Sequence, residues 1–229
     1  MHAPWLLLRL VMDSARSPLF GSIFALVAAF AVPAALVLSA PVTAQAQAQD
    51  PGKFVQELGD KAIAQLAGKS IPEEEERTRF KALLTQYFDV NAIGKFTVGR
   101  AYWGSASPAQ RQEFLSLYET QVTNAYAKRF QNYEGEQFKV IGQQKESDLD
   151  TIVNSEISRP NGGPPVPVLW RVRAENSTFK IADVTIAGIS MAVTDRQQFA
   201  AVIERGGGNI QALIDALKTQ NMVPASTKS

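Results

Sequence analysis

The chain has 229 residues, enough for one folded domain with accessory segments. Hydrophobic residues make up 45%, charged residues 20%, and the formal charge is +1, so no global field draws the protein to nucleic acid or to an anionic membrane. Cysteine is absent and His2 is the only histidine; this excludes disulfides and thiol chemistry and, once the N-terminus is removed, any histidine-based triad or metal site.

The N-terminus reads as an export signal. Arg9 and Arg16 precede an uncharged run from Leu19 to Leu38, and small residues flank two candidate cleavage sites, Val42-Thr43-Ala44 and Ala44-Gln45-Ala46. The expected division is a cleaved signal over 1–44, a polar leader over 45–52, one domain over 53–220 and a disordered tail over 221–229. Cleavage removes His2 and, with Arg9, Arg16 and Asp13, leaves basic and acidic residues in equal number. Enzyme readings then shrink to Asp, Glu, Lys or Tyr.

From Lys53 the pattern is helical, with Phe54, Leu58, Ile63 and Leu66 near one face and Gly68 at the end. Ser70 and Glu73 suggest a capping box for a second helix through Phe80, Leu83, Leu84 and Tyr87. Glu73 to Glu76 suit the positive end of its dipole on a solvated face, not a metal site. Asp89 predicts the N-cap of one short helix carrying Ile93, Phe96 and Trp103 and stopped by Gly104. Ser107, Pro108 and Gln110 begin the next. Its Phe114, Tyr118, Val122, Tyr126 and Phe130 recur every four residues, so the stripe winds and needs partners on more than one side.

After Gly135 the period changes to two. Phe138 to Gln144, Thr151 to Ser158, Val166 to Arg173 and Phe179 to Val193 read as strands separated by short turns, which implies an antiparallel, curved sheet. On the third, Val166, Val168, Trp170 and Val172 share one face, and Leu169, Arg171 and Arg173 the other. Thr194 with Gln197 suggests the start of a helix, and Asn209 caps a last one. Gly206-Gly207-Gly208 lacks the Lys-Ser/Thr of a phosphate loop and reads as a hinge between these two helices. The fold class is α+β: a curved four-stranded antiparallel sheet packed against several helices, cone-like, with an apolar interior.

Trp103, Phe114, Tyr118, Tyr126, Phe130 and Trp170 point to that interior. Periodicity favours plain core and does not separate packed aromatics from aromatics lining a pocket. Within the stripe, Phe114 is assigned to core packing, and Tyr126 and Phe130 to the wall of a cavity. Lys128, Arg129, Arg171 and Arg173 are candidate phosphate ligands, with simple solvation the commoner role for such residues. Asp183 with Tyr118 or Tyr126 is a candidate acid–base pair, again with a structural role the commoner one.

The stretches "YFDVNAIGKFTVGRAYWGSASPAQRQEF", "NAYAKRFQNYEGEQFKV", "VLWRVR" and "FKIADVTIAGISMAVT" resemble the MlaC family of periplasmic lipid-binding proteins, also called toluene-tolerance or ABC-transporter auxiliary proteins, and its hopanoid-associated HpnM branch. The chain departs from the usual pattern at Gly94, Lys95 and Gly104. The resemblance implies a soluble periplasmic carrier without cofactor, metal or catalytic residue. It implies a phospholipid or hopanoid ligand whose tails lie inside and whose head group stays outside. The implied partners are an outer-membrane lipoprotein complex and an inner-membrane ABC transporter with an MCE-domain subunit. The residues expected to touch lipid are Phe96, Trp103, Tyr118, Val122, Tyr126 and Phe130, together with Val140, Val153, Val168, Trp170, Val172, Ile181, Val184 and Ile186 on the strands. An Asp/Tyr enzyme on the same architecture is the rival reading.

Overall fold

The computed structural model describes residues 50–67, 71–175 and 178–222. The expected signal segment, the leader as far as residue 49, Ser70 and the tail beyond Met222 lie outside the described residues.

Helix α1 (Pro51–Leu66) starts at Asp50, whose carboxylate accepts from the Gly52 amide at 2.8 Å. Helix α2 (Glu73–Tyr87) has Pro72, not Ser70, at its N-cap, and no side chain caps it. Glu73, Glu74 and Glu75 are exposed in its first turn, as the acidic run suggests, but Glu76 is fully buried. A run of four spans more than one turn of helix, so one member must face inward. Gln131 Nε2 donates to the Glu76 carboxylate at 2.6 Å, and burial raises its pKa above the usual carboxylate range.

The helix expected from Asp89 to Trp103 is two helices. Asp89 accepts from the Ala92 amide at 2.9 Å and starts α3 (Val90–Val98). Gly99, at φ +83°, then breaks the chain direction in a conformation that favours glycine. Helix α4 (Arg100–Ser105) follows and runs through Gly104. Helix α5 (Pro108–Tyr126) has the full capping box, with Ser107 accepting from the Gln110 amide and Gln110 accepting from the Ser107 amide. A 3-10 segment (Ala127–Asn132) extends it.

The sheet has five strands, not four. Strands β1 (Gln137–Lys145), β2 (Asp150–Ser158), β3 (Val166–Glu175), β4 (Thr178–Ile186) and β5 (Ile189–Ser190) form an antiparallel meander in that order. The ladder slips between Val140 and Gly142, and again between Arg171 and Val172. Such bulges bend a sheet and raise its twist. The last strand does not run on to Val193, because Ala187 and Gly188 both take positive φ and turn the chain. Helix α6 (Met191–Arg205) therefore starts at Ser190, which accepts from the Val193 amide at 3.1 Å, rather than at Thr194. The Thr194 hydroxyl donates back to the Ser190 carbonyl within the first turn. Gly206–Gly208 joins α6 to α7 (Ile210–Met222), and Asn209 accepts from the Gln211 amide at 2.8 Å.

Two larger apolar clusters result, beside a small one of Val55, Val153 and Val172. In one, α1 and α2 pack on the inner sheet face through Leu58, Leu66, Leu83, Tyr87 and Ile181. In the other, the helices from α3 to α7 pack on each other through Phe114, Tyr118, Phe199, Ile203 and Ile214. The pattern on β3 holds: Val168 and Val172 are buried, while Leu169 and Arg173 are exposed on the other face. Among the described residues no helix is long and apolar enough to cross a membrane.

Candidate functional site

Residues of both clusters enclose a cavity of about 380 Å³, a size typical of ligand pockets. Its wall is nearly all hydrocarbon. Helix α1 contributes Leu58, Ala62 and Ile63, α2 contributes Phe80, Leu83 and Leu84, and the sheet contributes Phe138, Ile157 and Trp170. Gly59 also belongs to the wall. A Cβ there would sit 2.2 Å from the Phe138 ring, so glycine is what lets α1 cross β1 this closely. A second hollow of about 400 Å³, beside Asp89, Glu119, Glu175 and Lys180, has a mostly polar wall. It offers an apolar guest little.

The winding stripe is divided along its length. Phe114 is wholly buried among Trp103, Tyr118 and Phe199, at ring distances of 6.4, 5.8 and 6.0 Å. Tyr118 serves both the helical core and the cavity wall, and Val122, Tyr126 and Phe130 are on the wall. Trp170, Val184 and Ile186 join them from the sheet.

The other residues expected to touch lipid lie elsewhere. Val153 and Val172 are buried with Val55 of α1, with Val140 packed against them. Ile181 is buried beside Tyr87 in the cluster of α1, α2 and the sheet, and Val168 is buried on β3. Trp103 lies in the helical core. Phe96 is 42% exposed, with the Arg196 guanidinium 5.0 Å from its ring centre. Sequence reasoning missed the contributions of α1 and α2. Their apolar faces were legible, but not that those faces would close over the sheet.

It also missed Asp195. The Tyr118 hydroxyl donates to Asp195 Oδ2 at 3.1 Å on the cavity wall. The pairing considered from sequence, Asp183 with a tyrosine, does not form. Asp183 accepts instead from the Ser190 hydroxyl at 2.6 Å and from the Val184 and Ala192 amides, which ties β4 to the start of α6. Burial, reinforced by the Asp195 charge, raises the pKa of both Tyr118 and Tyr126, so both phenols stay protonated near neutral pH. Burial pushes Asp195 itself up from 3.8 to about 6, against the hydrogen bond from Tyr118.

That shift has a sign. Asp195 binds its proton more tightly in the folded protein, so its favourable contribution is complete below about pH 3.8 and is lost as pH rises through about 6. Asp195→Asn keeps an acceptor for Tyr118 and removes the charge. We expect wild type to lose on the order of 2 kcal/mol between pH 4 and 7 relative to Asp195→Asn. Urea melts of the delipidated proteins across that range measure it. Parallel pH profiles would show that Asp195 is not the group responsible.

Comparison with known proteins places this architecture among relatives. The family model described as "MlaC protein" matches residues 56–219. The intermembrane phospholipid transport system binding protein MlaC of Haemophilus influenzae is 22% identical over 183 residues, which is 77% of this chain and 82% of that protein. The toluene tolerance protein ttg2D of Pseudomonas putida is 23% identical over 133 residues, 58% of this chain and 61% of that one. A solved structure of a phospholipid-binding protein from Ralstonia solanacearum, in complex with a phospholipid, aligns with a TM-score of 0.68 at 22% identity, over 76% of this chain and 97% of that one. At that identity the likeness speaks for the fold.

Proposed function

The chain belongs to the MlaC family, and from that premise we propose that it is a periplasmic carrier that encloses phospholipid acyl chains. It moves the lipid between an outer-membrane complex and an inner-membrane ABC transporter with an MCE-domain subunit, and it catalyses no reaction. The observation that carries this reading is the cavity between sheet and helices with its hydrocarbon wall. The phospholipid named for the Haemophilus relative and bound in the Ralstonia structure supports the choice of ligand.

The energetics explain why such a carrier needs an enclosed site. Each methylene removed from water is worth about 0.8 kcal/mol, so a tail of ~15 methylenes left in water costs roughly 12 kcal/mol. A surface patch covers only part of that. Yet the carrier must also release its cargo, so its affinity has to lie close to that of a bilayer. Transfer from a hydrocarbon wall to a hydrocarbon bilayer is nearly balanced. Direction then comes from the partners.

Protein purified from its native host, denatured and extracted with organic solvent, should yield phospholipid by mass spectrometry. A hopanoid in the extract would reassign the ligand. An empty extract would sink the carrier reading and turn attention to Tyr118 and Asp195 as an acid–base site. Intact mass of the exported protein should place its N-terminus near Gln45 or Gln47. A mass retaining Leu19 to Leu38 would mean an anchored protein instead.

A further inference from the structure

Of the basic residues offered by the sequence as phosphate ligands, three have acidic partners. Lys128 pairs with Glu73 at 2.8 Å, Arg171 with Glu146, and Arg173 with both oxygens of Asp150 at 2.8 Å. Arg129 differs from all three. It is the only cation among the residues that line the apolar cavity, and no carboxylate among the described residues lies within ion-pair distance of it.

What does hold Arg129 leaves most of its donors free. Its Nε donates to the Ala125 carbonyl at 3.3 Å, and its guanidinium carbon lies 4.9 Å from the centre of the Tyr126 ring, itself part of the wall. These contacts restrain the group and use one of its five N–H donors. The Nη donors meet no acceptor among the described residues. The residue lines the cavity and is half-buried, so part of it also reaches solvent. The polar groups beside it in the wall are engaged locally. Tyr133 donates its hydroxyl to the Glu136 carbonyl at 2.8 Å, and the Glu136 carboxylate accepts from the Glu134 amide at 2.8 Å. Elsewhere on the wall Asp183 and Asp195 have the partners described above.

We propose that Arg129 holds the phosphate of a lipid head group at the rim of the cavity while the tails occupy the interior. This rests on the carrier reading. A guanidinium presents paired N–H groups that match two phosphate oxygens, and here the group is already held against the Tyr126 ring. A hydrocarbon wall does not distinguish two lipids with the same tails. One oriented cation at the rim does, and it favours a phosphate-bearing lipid over diacylglycerol.

The test loads delipidated protein from vesicles containing equal amounts of phosphatidylglycerol and diacylglycerol with identical chains, and measures both lipids on the re-isolated protein. Wild type should enrich phosphatidylglycerol about tenfold or more. Arg129→Gln should take up less phosphatidylglycerol, with the ratio falling to near that of the vesicles. Arg129→Lys keeps the charge without the fork and should lie between. An unchanged ratio in Arg129→Gln overturns the proposal. So does absence of enrichment in wild type, a measurement that does not depend on any variant folding. Enrichment should persist in excess inorganic phosphate, because the tails anchor the head group; its loss would make this a site for free phosphate and overturn the lipid assignment. Failure of wild type to load either lipid would overturn the carrier reading itself.

Discussion

Phe114→Ala is expected to lower the melting temperature of the delipidated protein far more than Phe130→Ala. The two residues belong to one stripe on one stretch of chain, yet they face different surroundings. Phe114 is wholly buried, stacked on Tyr118 and met edge-on by Trp103 and Phe199. Truncating it leaves a void in a packed core, which typically costs about 3–5 kcal/mol. For a domain of this size that corresponds to a drop on the order of 10 °C. Phe130 is half-buried on the cavity wall, 6.2 Å from Phe80. Its truncation enlarges a space that already exists, so the cavity term is small. The change should appear instead in the amount or chain length of the lipid carried. Calorimetry with and without lipid measures both effects. Equal destabilisation of the two delipidated variants, with lipid content unchanged in each, would mean that the whole stripe is core.

The second large effect is expected at the sheet. Trp170→Glu should reduce co-purifying lipid by at least about tenfold, because an unpaired carboxylate against hydrocarbon costs several kcal/mol. Trp170 lines the cavity and donates its indole N–H to the Ser155 hydroxyl at 2.8 Å. Ser155 in turn donates to the Val168 carbonyl at 3.0 Å, so it retains a partner when the indole is gone. Arg171, the next residue, lies on the opposite face and pairs with Glu146. Arg171→Gln is the matched control; a half-exposed ion pair of this kind is worth about 0–1 kcal/mol, and lipid content should not change. A glutamate at 171 would add a third carboxylate beside Glu146 and Asp150 and confuse the comparison. Equal lipid loss in both variants would show that the strand's inner face is not the one presented to the ligand.

Much of this was legible in local pattern. Alternation along β3 assigned its two faces, since successive side chains of a strand point to opposite sides whatever the sheet packs against. The capping box at Ser107 and Gln110 and the cap at Asp89 depend on hydrogen bonds within four residues, and they were read correctly. A four-residue repeat on a 3.6-residue helix showed that the aromatic stripe winds, but not which part of it meets packed core and which the cavity. The errors arose where local signals compete. Thr194 and Ser190 are both plausible caps, and the choice fell to Ser190 because positive φ at Ala187 and Gly188 turns the chain first.

What only the tertiary structure decided is which apolar residues meet each other and which meet empty space. Val153, Val172 and Ile181 carry the same inward signal as Trp170 and Val184, yet α1 and α2 cover the first group and leave the second on the cavity wall. Polar partners were equally out of reach. Asp195 reaches Tyr118 across 77 positions of sequence, and Arg129 is distinguished from Lys128 only because Glu73 lies beside one and not the other. Hydrophobic periodicity records that a side chain leaves water. It carries no record of what replaces the water, because burial is rewarded alike against protein and against a guest, and that difference is made by residues far away in the chain.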